Sequence, residues 1–283
     1  MKTFSVQLLL VVALIAFLTT PKSFAQNTNA GGGTPPLSYQ WNFNGTNNPT
    51  FVVTNATGTV TNVAAANSAT NPVPRDSAWV RRHNGFVAQA KANRIDLLFM
   101  GDSITDFWRT RGSNVWVKYY GHRHAANFGI AGDQTQHVLW RIDNGELDGI
   151  KPKVVVLMIG TNNTGKDRSG NQRYTNEQIV EGVAAIVSDI RARLPKTKIL
   201  LLGIFPRGRT LEDSQRAQVA LVNTVICKLD DGKMVKYLDI GSNFLAADGA
   251  LPRTIMPDLL HPNAKGYQIW ADAMEPTLVK MMK

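Results

Sequence analysis

Short, almost wholly apolar runs punctuate the chain beyond about Ala78: RIDLLFM (94–100), HAANF (124–128), KVVVLMI (153–159), KILLLGIF (198–205) and VKYLDI (235–240). Between them the apolar positions recur at helical spacing. Thr175-x-x-Gln178 reads as a capping box, and Val180, Val183, Ile186 and Ile190 follow on one helical face towards Leu194. Residues 214–229 and 264–281 carry the same signature. Strands apolar at every position are covered on both faces, so strand–helix alternation predicts an α/β fold, with a parallel sheet between two helical layers. In such a sheet the ligand crevice lies beyond the carboxyl ends of the strands. The residues just after each run are therefore the ones to inspect.

The first 77 residues follow another pattern. Lys2, the apolar stretch Leu8 to Leu18 and the small-x-small triplet Ser23-Phe24-Ala25 predict a secretory signal peptide over residues 1–25. The apolar core is shorter than the roughly 20 residues of a membrane span. The expectation is a secreted or periplasmic protein without stable membrane insertion. Residues 26–77, rich in Asn, Thr, Gly and Ala, read as a linker. Within it GTPPLSYQWNFNGT and FVVTNATGTVTN resemble the first and last strands of bacterial immunoglobulin-like repeats, with Trp41 as the buried tryptophan. The middle strands of a sandwich of about seven are missing, which leaves a remnant or a short β-hairpin. Sequons at Asn44 and Asn55 matter only in a glycosylating host.

Composition narrows the partners. The 283 residues carry a net charge of +10 and are 43% hydrophobic, enough for a sizeable core. Lys and Arg are scattered, with no run longer than Arg81-Arg82, so a nucleic-acid footprint is not expected. The single Cys227 cannot form an intrachain disulfide and lies in an apolar helical stretch. His83, His122, His124 and His137 lack metal-ligand spacing, and no metal or cofactor is expected.

Candidate chemistry appears after the runs. GDSITDFW follows the first, placing Ser103 either as an exposed hydroxyl at the crevice or as a plain helix N-cap. NFGIAGDQTQ places Gly132, which permits close backbone approach and offers an N–H, ahead of a helix. VVVLMIGTNNTGKDRSGN (154–171) includes Gly-x-x-x-x-Gly-Lys, one residue short of a phosphate-binding loop. Asp167 stands where magnesium coordination needs Ser or Thr, and the helix that should begin at Lys166 is delayed. MPDLLHPNAKGY sets Asp258 and His261 three apart, close enough for a carboxylate to orient an imidazole. A nucleophile, a base with its orienter, and donors for an oxyanion are what acyl transfer requires.

Four blocks in order, Gly101-Asp102-Ser103, Asn127 to Asp133, Gly160-Thr161-Asn162-Asn163 and Asp258-x-x-His261, resemble the SGNH (GDSL-type) hydrolases. The stretch ANFGIAGDQTQHVLWRIDNGELDGIKPKVVVLMIGTNN, extended by LLGIFPRG, resembles more specifically the alpha-subunit family of platelet-activating-factor acetylhydrolases. The resemblance implies a three-layer α/β/α sandwich with a parallel five-stranded sheet, flavodoxin-like, over residues 78–283. It implies Ser103 as nucleophile, His261 as general base and Asp258 as its orienter. The N–H groups of Ser103 and Gly132 and the amide of Asn162 would form the oxyanion hole. The substrate would be a small acyl ester or an acetylated carbohydrate, and a homodimer is a candidate assembly. Two departures bear on the substrate: the export signal and the insertion TGKDRSGNQRYTNEQ (164–178). They favour a carbohydrate acetylesterase over a lipid (platelet-activating-factor-type) acetylhydrolase or lysophospholipase, and the intact set Ser103, Gly132, Asn162, Asp258 and His261 argues against a non-catalytic surface-binding protein. Trp108, close behind Ser103, is either packing or a wall of the acyl pocket.

Overall fold

The computed structural model describes residues 38–42, 50–54 and 68–283. The expected signal peptide, most of the expected linker, both sequons and the expected burial of Trp41 lie outside the described residues. β1 (Ser38–Asn42) and β2 (Thr50–Thr54) pair antiparallel as a two-stranded hairpin.

The larger unit stands by itself. It opens with α1 (Ser77–Ala92), whose first amides are capped by Asp76 at 2.9 and 3.0 Å. Then follow β3 (Leu97–Gly101), α2 (Ser103–Asp106), α3 (Ser113–Tyr120), β4 (Ala125–Gly129), α4 (Thr135–Asp143) and β5 (Val154–Met158). The chain continues through α5 (Asn176–Arg193), β6 (Lys198–Leu202), α6 (Ser214–Ile226), β7 (Val235–Leu238) and α7 (Ala264–Met282). The capping box on α5 forms as the sequence predicts, Thr175 and Gln178 exchanging bonds at 3.2 and 2.9 Å.

The five strands pair in parallel in the order β4-β3-β5-β6-β7. Residues of β3 and β5 are buried at every position, the expected consequence of covering both faces. Alternate residues (Leu97, Phe99, Val154, Val156, Met158, Leu200, Leu202) enter one core with Trp108, Tyr120, Tyr267, Trp270 and Met274 of the α2–α3 segment and α7. On the opposite face Phe86 of α1 stacks on Phe128 with centroids 4.7 Å apart. Among the described residues no helix is long and apolar enough to cross a membrane.

Topology then selects the site. After β3 the chain turns to one side of the sheet to make β4, and after β5 it turns to the other to make β6. The loops leaving β3 and β5 therefore diverge and open a crevice between them. Gly101 is in register with Gly129 on one side and Met158 on the other, so three strands end level there. Trp108 is wholly enclosed, its ring 4.5 Å from that of Tyr267 and 5.0 Å from that of Trp270. It is a packing residue.

Candidate active site

Ser103 is the first residue of α2, directly beyond the end of β3. Its cap is Asp102, whose Oδ1 accepts from the Ile104 N–H at 2.9 Å, so Ser103 is spared that task. The Ser103 Oγ lies 2.9 Å from His261 Nε2. His261 Nδ1 lies 2.7 Å from Asp258 Oδ2. A carboxylate at that distance accepts a hydrogen bond from Nδ1–H and so fixes the tautomer whose Nε2 lone pair faces the serine.

Asp258 reaches this position through a tight local turn. Its Oδ1 accepts from the N–H groups of Leu260 (3.1 Å) and His261 (2.7 Å), and Leu259 adopts a positive φ of 59° to close the loop. Partial burial works against the Asp258 charge, but those two amides and the imidazole outweigh it and hold the carboxyl below its ordinary range. Phe107 packs against the imidazole at 5.1 Å, and Arg111 covers Phe107 at 4.7 Å.

The donors opposite are held quite differently. Gly132 has φ +82°, a left-handed conformation, and any Cβ there would press on the Arg75 guanidinium at 3.1–3.2 Å. The next residue, Asp133, is fully buried. Its Oδ1 accepts from Trp79 Nε1 (2.6 Å) and Arg75 Nη1 (3.1 Å). Its Oδ2 lies 3.1 Å from Arg141 Nε, an ion pair too poorly aligned to count as a hydrogen bond. Arg141 is itself fully buried, donating to Glu146 at 2.9 and 3.1 Å and to the Phe128 carbonyl at 2.6 Å. Burial pushes the Asp133 carboxyl up, with Arg141, Trp79 and Arg75 pulling against it. Asp106 braces the same loop: its Oδ2 accepts from the Ala131 N–H at 3.1 Å, and its Oδ1 from Arg82 and Arg109.

The Asn162-Asn163 pair divides its work. Asn163 is fully buried and saturated, accepting from the Thr135 N–H (3.1 Å) and donating to Thr135 Oγ1 (3.0 Å) and Gln136 Oε1 (3.2 Å). Asn162 is partly exposed and donates one Nδ2 proton to the Asp133 carbonyl at 2.9 Å, which ties it to the Gly132 loop and leaves its second Nδ2 proton without a protein partner. Gly160, at φ +126°, makes the turn that delivers this pair. No helix begins at Lys166; that residue bridges to Gln172 in a small loop and α5 starts ten residues later. The loop has no phosphate-cradle geometry.

Ser103, Asp258 and His261 thus meet as one hydrogen-bonded relay, and Gly132 and Asn162 meet through the Asp133 carbonyl. Asp133 closes one of the matched blocks but carried no role in the sequence, and Arg75, Trp79, Arg141 and Glu146 carried none either. Arg141 had one signal: it is a charge on the apolar face of α4, beside Val138 and Ile142. Asp102 is another buried carboxyl, with Oδ2 unpartnered; burial pushes it up to about 7, the Ile104 amide opposing.

A hydroxyl 2.9 Å from an imidazole that is paired with a carboxylate, at a strand end of a parallel α/β sheet, is an arrangement suited to the hydrolysis of carbonyl compounds. Residues 99–269 match the GDSL-like Lipase/Acylhydrolase family. The chain is 39% identical over 208 residues to human platelet-activating factor acetylhydrolase IB subunit alpha2, covering 73% of this chain and 86% of that protein. It belongs to this family, and it is a carboxylic ester hydrolase. Its fold is shared with a GDSL-like lipase from Bacteroides thetaiotaomicron (TM-score 0.56, 18% identity, 70% of this chain and 97% of that one). An acetylxylan esterase from Geobacillus stearothermophilus shares it too (TM-score 0.53, 19% identity, 66% and 93%).

Proposed function

We propose that this protein is an exported acetylesterase acting on O-acetylated carbohydrate through an acyl-serine intermediate. The observation that carries the chemistry is the Ser103–His261–Asp258 relay, with spacings of 2.9 and 2.7 Å. As Ser103 Oγ attacks the ester carbonyl, His261 Nε2 takes the hydroxyl proton and Asp258 steadies the imidazolium. The negative charge that develops on the carbonyl oxygen meets the N–H groups of Ser103 and Gly132 and the free Nδ2 proton of Asn162. Collapse expels the sugar alkoxide, which takes the proton from His261. Water, deprotonated by the same imidazole, then attacks the acyl-serine and releases acetate.

Acetyl as the acyl group is supported by the acetylhydrolase relatives. Export is supported by the pattern of residues 1–25, and an exported enzyme meets polysaccharide. Acetylhydrolysis of a lipid is the second reading, favoured by the name of the 39%-identical relative. One panel separates them: p-nitrophenyl acetate, butyrate and octanoate beside acetylated xylan, acetylated pectin and vesicles of an acetylated ether phospholipid. Acetate cleaved fastest, with acetate released from polysaccharide, is expected. Faster octanoate hydrolysis, or turnover of the vesicles alone, overturns the carbohydrate reading.

A further inference from the structure

The backbone carbonyl of Asn162 is held from two directions. Gln134 Nε2 donates to it at 2.7 Å and Arg173 Nη1 at 2.8 Å. A carbonyl oxygen offers two lone pairs, so both are taken. Gln134 is the N-cap residue of α4, two positions after Gly132. Arg173 belongs to the 164–178 insertion, eleven positions further along the chain than Asn162. The Asn162 side chain adds a third tie, donating to the Asp133 carbonyl at 2.9 Å. Three bonds on one residue restrict where its remaining Nδ2 proton can point.

The insertion is folded so as to deliver that guanidinium. The Arg173 N–H returns to the Gly165 carbonyl at 2.8 Å, and Arg173 Nη2 donates to the Lys166 carbonyl at 3.2 Å. Both Nη atoms are thus spent on carbonyls of the protein. Gln218 of α6 ties the two ends of the loop: its Oε1 accepts from the Gly165 N–H at 3.0 Å, and its Nε2 donates to the Tyr174 carbonyl at 2.8 Å. Tyr174 opens a second route to Asn162. Its hydroxyl accepts from Gln136 Nε2 at 2.8 Å, and the same nitrogen donates to Gln134 Oε1 at 2.7 Å. The Gln134 amide oxygen is thereby anchored while its nitrogen reaches Asn162. Both donors on the Asn162 carbonyl trace back to the insertion. The preceding residue has its own support: Thr161 is fully buried, and its carbonyl accepts from Arg207 at 3.0 Å.

We propose that Arg173 and Tyr174 are positioning residues, through which the 164–178 insertion clamps Asn162 with its free amide proton directed at the developing oxyanion. The inference rests on reading Asn162 as an oxyanion donor and adds what orients it. A donor oriented beforehand stabilises the transition state without reorganisation. A misplacement of about 1 Å can cost on the order of 10²-fold in rate.

The test is steady-state hydrolysis of p-nitrophenyl acetate by the full chain. Arg173→Ala is expected to lower kcat about five- to twentyfold with KM within about twofold, because the orientation matters chiefly in the transition state. Arg173→Lys keeps one charged donor for the Asn162 carbonyl and should return kcat to within about threefold of the parent. Tyr174→Phe removes the hydroxyl alone and should lower kcat about two- to threefold. Arg168→Ala, exposed on the same insertion, should change nothing. Because Arg173 is exposed, its alanine variant should melt within about 2 °C of the parent.

A double-mutant cycle separates the clamp from a direct contact with substrate. In an Asn162→Ala background Arg173→Ala should cost nothing further in kcat, since the amide it orients is already gone. Independently of turnover, the side-chain amide signals of Asn162, identified by their loss in Asn162→Ala, should broaden or exchange faster with water in Arg173→Ala. Arg173→Lys should restore them. Losses that add in the cycle, or a raised KM with kcat unchanged, place Arg173 against the substrate and overturn the clamp. Asn162 signals that ignore Arg173→Ala overturn it too. Full turnover in folded Asn162→Ala overturns instead the reading of Asn162 as a donor, and with it the clamp's part in the reaction; the amide signals then still decide whether the insertion holds that residue.

Discussion

The two halves of the candidate site, the proposed base and the proposed oxyanion donors, are held in different ways. The proposed base half is local and partly exposed: Asp258 and His261 are three residues apart, and Asp258 accepts from the N–H groups of Leu260 and His261 as well as pairing with the imidazole. Asp258 keeps 45% of its side chain exposed. The half proposed to hold the oxyanion is braced at long range from a buried network, while Gly132 and Asn162 themselves keep solvent exposure. The Asp133 carboxylate behind Gly132 is shared by Arg75, Trp79 and Arg141, and sequence separations of 58 and 54 residues lie behind two of those contacts. A base must exchange protons with substrate and water, so access suits it. A donor for developing charge is effective when it is already oriented, because no reorganisation is then needed during reaction, and a buried support supplies that orientation.

Breaking the base half should abolish chemistry without touching the fold. Ser103→Ala is expected to lower kcat by about 10⁴ or more with an unchanged melting temperature, since no packing is lost. Steady-state hydrolysis of p-nitrophenyl acetate beside calorimetry checks both. Breaking the support of the oxyanion half should do the reverse. Asp133→Ala leaves Arg141 buried with one acid fewer, and about 3–5 kcal/mol of stability should be lost. Asp258→Ala, exposed and locally bonded, should cost under about 1 kcal/mol. Denaturant melts that show equal losses would erase the contrast between the halves.

Asn162→Ala isolates the donor from its support. It should lower kcat by about 10² to 10³ with little change in KM, because that bond strengthens chiefly in the transition state. Asn163→Ala should instead lower stability, its amide being spent on Thr135 and Gln136. A folded Asn162 variant with full turnover would remove that residue from the mechanism.

Asp102, the residue before Ser103, gives an effect that depends on pH. Its carboxyl is raised by burial to about 7, so the native state binds its proton more tightly than the unfolded chain. That stability is complete below the ordinary carboxylate range near 4, drains as pH rises, and levels off above about 7. Asp102→Asn keeps the Oδ1 cap on Ile104 and removes the titration. Between pH 5 and 8 the variant should therefore gain about 2–3 kcal/mol relative to the parent. Parallel stability curves would show that Asp102 is ionised throughout.

Much of this was legible in the chain. The five apolar runs marked five strands, the 175–178 box marked the start of α5, and the four short blocks marked Ser103, Gly132, Asn162, Asp258 and His261. Strand ends and three-residue spacings are local properties, and local properties are written in order along a sequence. The packing role of Trp108 was not legible: its distance from Ser103 allowed a pocket wall, and only the aromatic cluster with Tyr267 and Trp270 excluded it.

What the sequence by itself determined was the layered α/β arrangement and the strand ends beyond which Ser103 and the Asp258–His261 pair come together. Periodicity and turn chemistry act within a few residues, so they can be read without coordinates. Only the tertiary structure decided which asparagine of the pair is free, which remote arginines surround the donors, and which carboxylates are buried beside them. Those outcomes depend on contacts between residues some 50 or more positions apart, as Trp79 and Arg75 with Asp133, and on burial. Distance in space and exclusion of water arise only when the layers close, and they set both how a charge is held and what it costs.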